Sequence, residues 1–292
     1  MKKLFIILGS LGTSFSAIFL RLSDAPSSIM VFYRMAFTCL MLLVPAALCA
    51  GEYKNLQCKD IAFSCLSGLF LGMHFLCYFE SLKYTSIAAS VSLVDTEVFF
   101  VSIFGSIFLK EKVSKTGWLC ILITFAGSVI VTLGDASSGN LFGDLLALAG
   151  AVCSSVYTII GRKNRKNMST TAYTFIVYFV AGLVVAIPSL GKGIGYYVVG
   201  TKNLLLAFGM AVCCTLLGHS VYSWGLKYEK ASFISIAKLM EPVFATLIGI
   251  LFMKEIPSAV CVFGCVIILS GMVMLILTSD TQVKPSLCNR QR

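Results

Sequence analysis

Ten long runs of apolar residues follow one another along this chain, and short polar or charged segments separate them. A helix that crosses the hydrocarbon core of a bilayer needs about 20 apolar residues. Inside lipid every backbone polar group must be paired within the protein, which a helix achieves on its own. The chain is therefore predicted to be an all-α membrane protein. The candidate helices lie near residues 4–20, 29–50, 60–80, 87–109, 116–134, 141–161, 171–190, 203–225, 232–253 and 258–278.

The composition agrees with a membrane protein, because 58% of the residues are hydrophobic and only 12% are charged. A soluble domain has roughly 25% charged residues. The net charge of +10 could indicate a nucleic-acid partner, but the positive residues form short clusters between apolar runs, a pattern that orients membrane helices. The predicted partners are therefore the lipid bilayer and a small molecule. The 12 cysteines are scattered without a CxxC pair, so we expect neither a disulfide framework, a metal site nor a cofactor.

The second half of the chain repeats part of the first at a constant offset of 144 residues. Fifteen positions are identical between residues 78–133 and 222–277, where roughly five would be expected by chance in so apolar a sequence. One identical pair is Glu97 and Glu241, each inside an apolar run. Weaker matches relate the first helix to the sixth and the second to the seventh. The repeating unit is therefore predicted to contain five helices.

Five is an odd number and the connector is short, so the second copy must enter the membrane from the opposite side. This predicts an inverted-topology repeat of ten transmembrane helices, an architecture typical of secondary transporters. The predicted domains are a first repeat at 1–134, a connector at 135–140, a second repeat at 141–278 and a cytoplasmic tail at 279–292. The N-terminus could be read as a signal peptide, but cleavage would remove the first helix of the repeat, so we expect this segment to be retained.

The loop charges predict the orientation of these helices. With the N-terminus inside the cell, sixteen Lys and Arg residues fall in inner segments and five in outer loops. Cytoplasmic loops of membrane proteins carry such an excess of Lys and Arg. Both termini are therefore predicted to be cytoplasmic, in a multi-pass protein of the cytoplasmic (inner) membrane.

Two segments carry a resemblance to a known family. They read LKYTSIAASVSLVDTEVFF, followed by LKEKVS, and LKYEKASFISIAKLMEPVFATLIGILFMKE. Together with the repeat, they resemble the EamA-type transporters of the drug/metabolite transporter superfamily, over residues 4–278. The second segment is the closer match, with Glu241–Pro242–Val243 and Glu255 in the places that the family favours.

The first segment departs from the family pattern at Val98, where proline is usual. Both segments have a lysine, Lys110 or Lys254, before the terminal glutamate, where glycine is common. The resemblance implies two five-helix repeats and the transport of small metabolites such as amino acids, nucleosides or drugs. It also implies that the protein is not an enzyme and that it acts as an exporter.

Polar residues inside the apolar runs are the candidates for function. A charge at the bilayer centre costs roughly 2.5–3.5 kcal/mol on insertion scales, so a retained charge needs a partner, a cavity or a role. The candidate substrate-binding residues are Arg34, His74, Tyr78, Asp95, Glu97, His219, Tyr222, Trp224, Ser235, Lys238 and Glu241.

The spacing of these residues indicates how two helices present them. Ser235, Lys238 and Glu241 follow at steps of three and share one helix face. Pro242 removes a backbone hydrogen bond and tends to open the turn before it. Glu97 is rotated about 160° from Asp95 in a regular helix, so both can serve one site only if that helix is packed on two sides or broken locally.

Two interpretations of these charges remain open. In the functional one, both repeats line a central cavity where acidic groups bind an ammonium group or exchange a proton, and Arg34 or Lys238 holds a carboxylate. In the structural one, Lys238 pairs with Glu241, Arg34 pairs with Asp95, and the histidines are buried and hydrogen-bonded. Tyrosine and tryptophan near helix ends can also mark the membrane interface.

The predicted function is a secondary transporter that exports an amino acid-like, zwitterionic or amphipathic metabolite by alternating access, with possible proton coupling. The alternatives are a membrane-embedded lipid or isoprenoid transferase, and a passive channel or lipid-linked flippase. The sequence leaves the oligomeric state, monomer or homodimer, open.

Overall fold

The computed structural model describes residues 1–84, 87–133, 140–191, 199–254 and 256–280, and all regular structure in these ranges is helical. Residues 135–139 of the predicted connector, Glu255 and residues 281–292 of the tail lie outside the described residues. The helices are α1 (Lys2–Leu22), α2 (Ser27–Leu48), α3 (Ala50–Asn55), α4 (Cys58–Ser81), α5 (Ile87–Asp95), α6 (Glu97–Phe108), α7 (Lys115–Leu133), α8 (Leu141–Asn164), α9 (Thr170–Gly191), α10 (Gly200–Met210), α11 (Ser220–Gly225), α12 (Ala231–Lys238), α13 (Glu241–Ile248) and α14 (Ala259–Asp280), with π-helical segments at Ala211–His219 and Gly249–Met253.

Nine helical stretches within the described ranges are long and apolar enough to cross a membrane. The predicted helix near 116–134 corresponds to α7, whose apolar stretch Lys115–Val131 is shorter. Large apolar side chains such as Leu40, Val44 and Leu251 point outward and are exposed. The chain is thus an all-α, multi-pass membrane protein whose outer surface is suited to lipid.

Three of the predicted helices are interrupted. The fourth is divided into α5 and α6, and the ninth into α12 and α13. In the eighth, the π-helical segment Ala211–His219 lies between α10 and α11. The π-helix is a rare conformation that occurs frequently at functional sites. The interruptions therefore direct attention to the interior around them.

The packing brings helices from the two halves of the chain together. Helix α4 packs along α8 and α9, and α1 packs along the π-helical segment and α13. Helix α8 also contacts α5 and α6, and α7 packs along α14. Glycine residues allow the closest approaches between helices. A Cβ atom on Gly12 would lie 2.6 Å from the Cys213 carbonyl oxygen, and a Cβ atom on Gly68 would lie 2.6 Å from the Val177 carbonyl oxygen.

Candidate functional site

Two helices break at equivalent positions of the sequence repeat. Helix α5 ends at Asp95 and α6 begins at Glu97, while α12 ends at Lys238 and α13 begins at Glu241. Glu97 and Glu241 stand 144 residues apart in the sequence, and each is the first residue after its break. Helix α12 packs against α6, so the two breaks lie close together in the interior.

The break before Glu241 has an identifiable cause in Pro242. A proline at this place cannot donate a backbone hydrogen bond, so the preceding turn tightens. The amides of Leu239 and Met240 accordingly donate three residues back, to the carbonyl oxygens of Ile236 and Ala237 at 3.1 and 3.2 Å. Helix α12 therefore ends before Pro242, as expected, but its last turn is tightened and not opened.

Helix α1 supports this break with two hydroxyl groups. Ser10 Oγ donates to the Ala237 carbonyl oxygen at 2.7 Å, and the Ser14 hydroxyl is shared between the carbonyl oxygens of Ser10 at 2.6 Å and Glu241 at 3.0 Å. The bonds to Ala237 and Glu241 lie on either side of the break, and both serine side chains are buried. Helix α1 thus ties α12 to α13, although the repeat comparison gave no role to these serines.

The break before Glu97 has no proline, because Val98 stands where Pro242 stands in the other copy. The amide and hydroxyl of Thr96 both donate to the Leu93 carbonyl oxygen, at 3.2 and 2.5 Å. This local bonding competes with continuation of the helix. Asp95 and Glu97 point to different sides of the break, and Asp95 accepts a hydrogen bond from Ser128 of α7.

Lys238 pairs with Glu97, at 2.7 Å between Nζ and Oε1. Both side chains are largely buried, with exposures of 12% and 6%. The structure therefore contradicts the local pairing of Lys238 with Glu241 that the spacing allowed. The pair joins the end of α12 to the start of α6. A buried ion pair of this kind neutralises both charges, so neither is left for another partner.

Glu241 interacts with hydroxyl groups. Tyr222 OH donates to Glu241 Oε1 at 3.4 Å, and the same hydroxyl lies 3.2 Å from Thr13 Oγ1. Lys238 Nζ lies 5.7 Å from the centroid of the Tyr222 ring. Within the described part of the chain Glu241 has no ion-pair partner. Its carboxyl group is therefore held by neutral groups at the side of the Lys238–Glu97 pair.

Arg34 is buried on α2 with 2% exposure. Its Nε donates to Thr215 Oγ1 at 2.7 Å, and its guanidinium carbon lies 5.2 Å from the centroid of the Phe75 ring. The expected pairing of Arg34 with Asp95 is wrong, since Asp95 bonds with Ser128 instead. Arg34 Nη2 is buried and has no hydrogen-bond partner among the described residues.

The rings of both histidines contact the ring of Phe75. The ring of His74 is stacked at 6.2 Å on Tyr78, and its Nδ1 lies 3.0 Å from the Gly150 carbonyl oxygen. His219 contacts Phe75 edge-on at 5.7 Å, and its Nδ1 is buried without a partner among the described residues. The hydrogen-bonded histidine of the structural interpretation thus fits His74 and does not fit His219.

Two sequence candidates lie apart from this cluster. Trp224 packs edge-on against Phe5 at 5.4 Å and against Tyr228 at 4.9 Å, and Lys2 Nζ lies 3.9 Å from the centroid of the Tyr228 ring. Ser235 is buried, and its hydroxyl donates to the Ser232 carbonyl oxygen of its own helix at 3.0 Å. The structure therefore brings nine of the eleven candidates together, and their role in substrate binding stays a prediction.

A cavity of about 200 Å³ lies beside this cluster, towards one end of the bundle. Its wall includes the start of α2, the last turns of α4 and Val185 of α9. Phe75 forms part of this wall and also contacts Arg34 and His219. The candidate charged residues do not line the cavity themselves. Phe75 therefore separates the cavity from Arg34 and His219.

The described residues contain no group of His, Cys, Asp and Glu side chains arranged to hold a metal ion.

The sequence did not reveal three residues of the cluster, Thr13, Phe75 and Thr215, because a single hydroxyl or phenyl group in an apolar run carries no distinctive signal. Arg165 was counted only as a loop charge, yet it is buried and donates to the Ser223 carbonyl oxygen at 3.0 Å. Arg165 thus fixes the end of α8 to α11.

Comparison with known proteins decides the family of this chain. The EamA-like transporter family matches residues 2–133 and again residues 141–277, almost the whole of the sequence. The chain belongs to the EamA-like transporter family.

Relatives of this EamA-like protein are named as transporters. The uncharacterized transporter YxxF of Bacillus subtilis (strain 168) is 24% identical over 93% of this chain and 86% of its own length. The pseudopaline exporter CntI of Pseudomonas aeruginosa (strain UCBPP-PA14) is 26% identical over 86% of each chain. The EamA-like chain is accordingly a membrane transporter, and these names indicate transport rather than catalysis.

The fold of the EamA-like chain also occurs in a solved crystal structure. The two superpose with a TM-score of 0.77 at 16% sequence identity, covering 96% of this chain and 98% of the other. At this identity the likeness concerns the fold alone. The likeness extends over nearly the full length of both chains.

Proposed function

We propose that this protein is a secondary transporter that moves a small zwitterionic or amphipathic metabolite, such as an amino acid, out of the cell by alternating access. The observation that carries the proposal is that two charged residues of the interior, Glu241 and Arg34, are not paired with an opposite charge. Both lie inside a membrane protein, and neither forms an ion pair with a described residue, whereas Lys238 and Glu97 neutralise each other. Retained intramembrane charges of this kind mark substrate or ion pathways.

The architecture that we propose consists of two inverted five-helix repeats, residues 1–134 and 141–278, that form ten spans. Reciprocal packing supports it. Helix α4 packs on α8 much as α10, the π-helical segment and α11 pack on α1. The broken helix of each half contacts the first helix of the other half. Such cross-packing places a site between the repeats, around which they can rock to expose it to either side.

The carboxyl groups near the two breaks are the proposed carriers of coupling. Glu241 and Asp95 both accept hydrogen bonds from hydroxyl groups and interact electrostatically with each other. A carboxyl group in apolar surroundings holds a proton more readily than one in water. Glu241 therefore suits either an exchange of protons or the binding of a substrate ammonium group, and Asp95 can share this role, whereas Glu97 is paired with Lys238.

The proposed location is the cytoplasmic membrane, with both termini in the cytoplasm, as the excess of Lys and Arg in the inner segments supports. In this orientation the cavity beside Phe75 opens to the outside. Export is the favoured direction because a relative over most of the chain is named an exporter.

Counterflow in proteoliposomes tests this function. Vesicles containing the purified protein are loaded with an unlabelled neutral amino acid, and uptake of the same labelled amino acid is measured across a panel, with and without a pH gradient. We expect saturable counterflow by the wild-type protein and its loss in Glu241→Gln, which keeps the side-chain size. Glu229→Gln, in the loop before α12, is the control and should transport normally.

Absence of counterflow by the folded wild-type protein across the panel would overturn the carrier assignment, and a folded Glu241→Gln protein that exchanges substrate at the wild-type rate would overturn the role of Glu241. Counterflow also separates a carrier from a channel. A carrier exchanges label against an unlabelled gradient and saturates, whereas a passive channel does neither. Uptake by the wild-type protein that is driven by a pH gradient would support proton coupling, and uptake that ignores the gradient would contradict it.

A further inference from the structure

Arg34 is a buried cation whose hydrogen bonds are incomplete. Its Nε donates to Thr215 Oγ1 at 2.7 Å, but Nη2 has no partner among the described residues. No described carboxylate lies within ion-pair distance. Contact with the Phe75 ring offsets only part of the cost of burying a guanidinium group. An unpaired charge buried in this way is typical of a group that pairs with a ligand.

His219 offers a second unused nitrogen beside Arg34. Both side chains contact Phe75, at 5.2 Å for the Arg34 guanidinium and 5.7 Å for the imidazole ring. His219 Nδ1 is buried and lacks a partner among the described residues. Thr215 and His219 lie one turn apart on the π-helical segment Ala211–His219, so their side chains lie on the same side of it.

These groups supply hydrogen-bond donors of the kind that a carboxylate requires. A guanidinium group binds carboxylates through parallel hydrogen bonds, and Arg34 Nη2 supplies an unused donor. An imidazole nitrogen supplies another, and the Thr215 hydroxyl can still donate its own proton while it accepts from Arg34. The other buried cations lack this capacity, because Lys238 pairs with Glu97 and Arg165 donates to Ser223, Met168 and Thr170.

We propose that Arg34, Thr215 and His219 form the subsite for the carboxylate of the substrate, and that Phe75 is the side chain this carboxylate must pass to reach it from the 200 Å³ cavity. The assignment rests on the proposed function, since it names the substrate class of that transporter. Glu241 interacts electrostatically with Arg34 without forming an ion pair. An amino acid could thus place its carboxylate on Arg34 and its ammonium group towards Glu241.

Ligand-induced thermal stabilisation tests the subsite without requiring transport. The unfolding midpoint of the detergent-solubilised protein is measured with neutral L-amino acids and with the same amino acids as C-terminal amides, which keep the ammonium group and lack the carboxylate. We expect the acids to stabilise the wild-type protein and the amides to do so much less. In Arg34→Gln the affinity for the acids should fall by roughly tenfold or more, since a charge-assisted bond is lost.

A control and two further variants make the outcome specific. Lys202→Gln removes an exposed cation that pairs with Asp24, and it should leave the preference for acids unchanged. His219→Gln should weaken binding of the acids and not of the amides. If Arg34→Gln does not fold, Thr215→Val provides the test, because it keeps the charge and removes the oxygen that orients Nε. It should weaken binding of the acids by about threefold to tenfold.

The results separate this proposal from the transporter assignment. Equal stabilisation by acids and amides, or an Arg34→Gln protein that keeps the wild-type preference for acids, overturns the carboxylate subsite. Counterflow of amines alone would overturn it as well, while leaving the transporter assignment intact. Acid binding that depends on Arg34 in a protein without any counterflow would support the subsite and overturn the transporter assignment.

Discussion

Lys110 and Lys254 both adopt a left-handed backbone conformation, with φ values of 56° and 54°. They occupy equivalent positions of the sequence repeat, each directly after a helical segment. The amide that closes each segment donates back to an equivalent glycine, from Glu111 to Gly105 at 3.0 Å and from Lys254 to Gly249. Lysine thus adopts a backbone conformation that favours glycine at both positions.

We expect Lys110→Gly and Lys254→Gly to stabilise the protein. A left-handed conformation costs a residue with a Cβ atom about 1–2 kcal/mol, and the greater freedom of glycine in the unfolded chain offsets part of this. The net gain should be about 0.5–1 kcal/mol per site, or about 2 °C in the unfolding midpoint. Thermal unfolding in detergent measures it.

Lys112→Gly is the matched control for these substitutions. Lys112 lies in the same connection as Lys110, and its φ value is not positive. Replacing it with glycine relieves no strain and adds freedom to the unfolded chain, so its midpoint should fall or stay unchanged. A Lys110→Gly protein that is no more stable than Lys112→Gly would show that the left-handed conformation costs little at this position.

The apolar runs predicted the helices of the fold because burial in lipid leaves little other choice for the backbone. The break before Glu241 was foreseen from Pro242, and the angle between Asp95 and Glu97 indicated either a break or two-sided packing of their helix. The π-helical segment Ala211–His219 was not foreseen. A shift from 3.6 residues per turn over nine residues leaves no distinct pattern in a mostly apolar stretch.

The sequence also revealed which residues are charged in the interior, but not how they pair. Spacing along one helix suggested Lys238 with Glu241, whereas Lys238 reaches Glu97 on another helix. Lys238 and Glu97 are 141 residues apart in the sequence, so their pairing depends on how distant helices pack against each other. For the same reason, the role of Thr215 beside Arg34 was not predictable.

The Glu111 carboxylate joins three helices at the end of the bundle opposite the cavity. Its Oε1 accepts from Arg162 Nε at 2.7 Å, and its Oε2 accepts from the Ala231 amide at the start of α12 at 3.2 Å. Arg162 also donates to the Leu226 carbonyl oxygen at 2.6 Å. A carboxylate at the start of a helix satisfies free amides and complements the helix dipole. In the proposed orientation, this network closes the cytoplasmic end.

Glu111→Gln should loosen the start of α12. The amide side chain can still accept from Ala231, but the ion pair with Arg162 is lost, which costs about 1–2 kcal/mol for a charge-assisted bond. Hydrogen exchange of the peptide 226–238 should accelerate by about tenfold or more. Mass spectrometry measures this exchange, with Glu229→Gln as the control from the same loop. Unchanged exchange in Glu111→Gln would contradict a closing role for this network.

The Lys238–Glu97 pair predicts a strong dependence of each residue on the other. Lys238→Met leaves a buried carboxylate without a counter-charge and should lower the free energy of unfolding by about 3 kcal/mol. The double variant Lys238→Met with Glu97→Gln removes both charges and should recover most of this loss. Unfolding midpoints of the single and double variants give the coupling energy between the two side chains.

An exposed pair on the same protein provides the comparison. Lys83 and Glu80 lie 2.6 Å apart with side-chain exposures of 58% and 37%, and such surface pairs contribute about 0–1 kcal/mol. Lys83→Met should therefore shift the midpoint far less than Lys238→Met. If the double variant is as unstable as Lys238→Met, the pair is not the reason for the loss, and packing of the lysine side chain around Tyr222 must explain it.

The serines of α1 predict that stability and transport decline together. Ser10 and Ser14 donate to carbonyl oxygens on the two sides of the break before Glu241. Each bond contributes about 1 kcal/mol, so Ser10→Ala with Ser14→Ala should cost about 2 kcal/mol. Because the same bonds fix the start of α13, the Glu241 carboxyl group loses its position in the double variant. Counterflow per folded molecule should then fall severalfold.

The control is Ser270→Ala, which removes an exposed hydroxyl that bonds only within its own helix. It should change neither the stability nor the counterflow. A double variant that loses stability but transports normally would mean that the break keeps its geometry without α1 and that Pro242 alone maintains it.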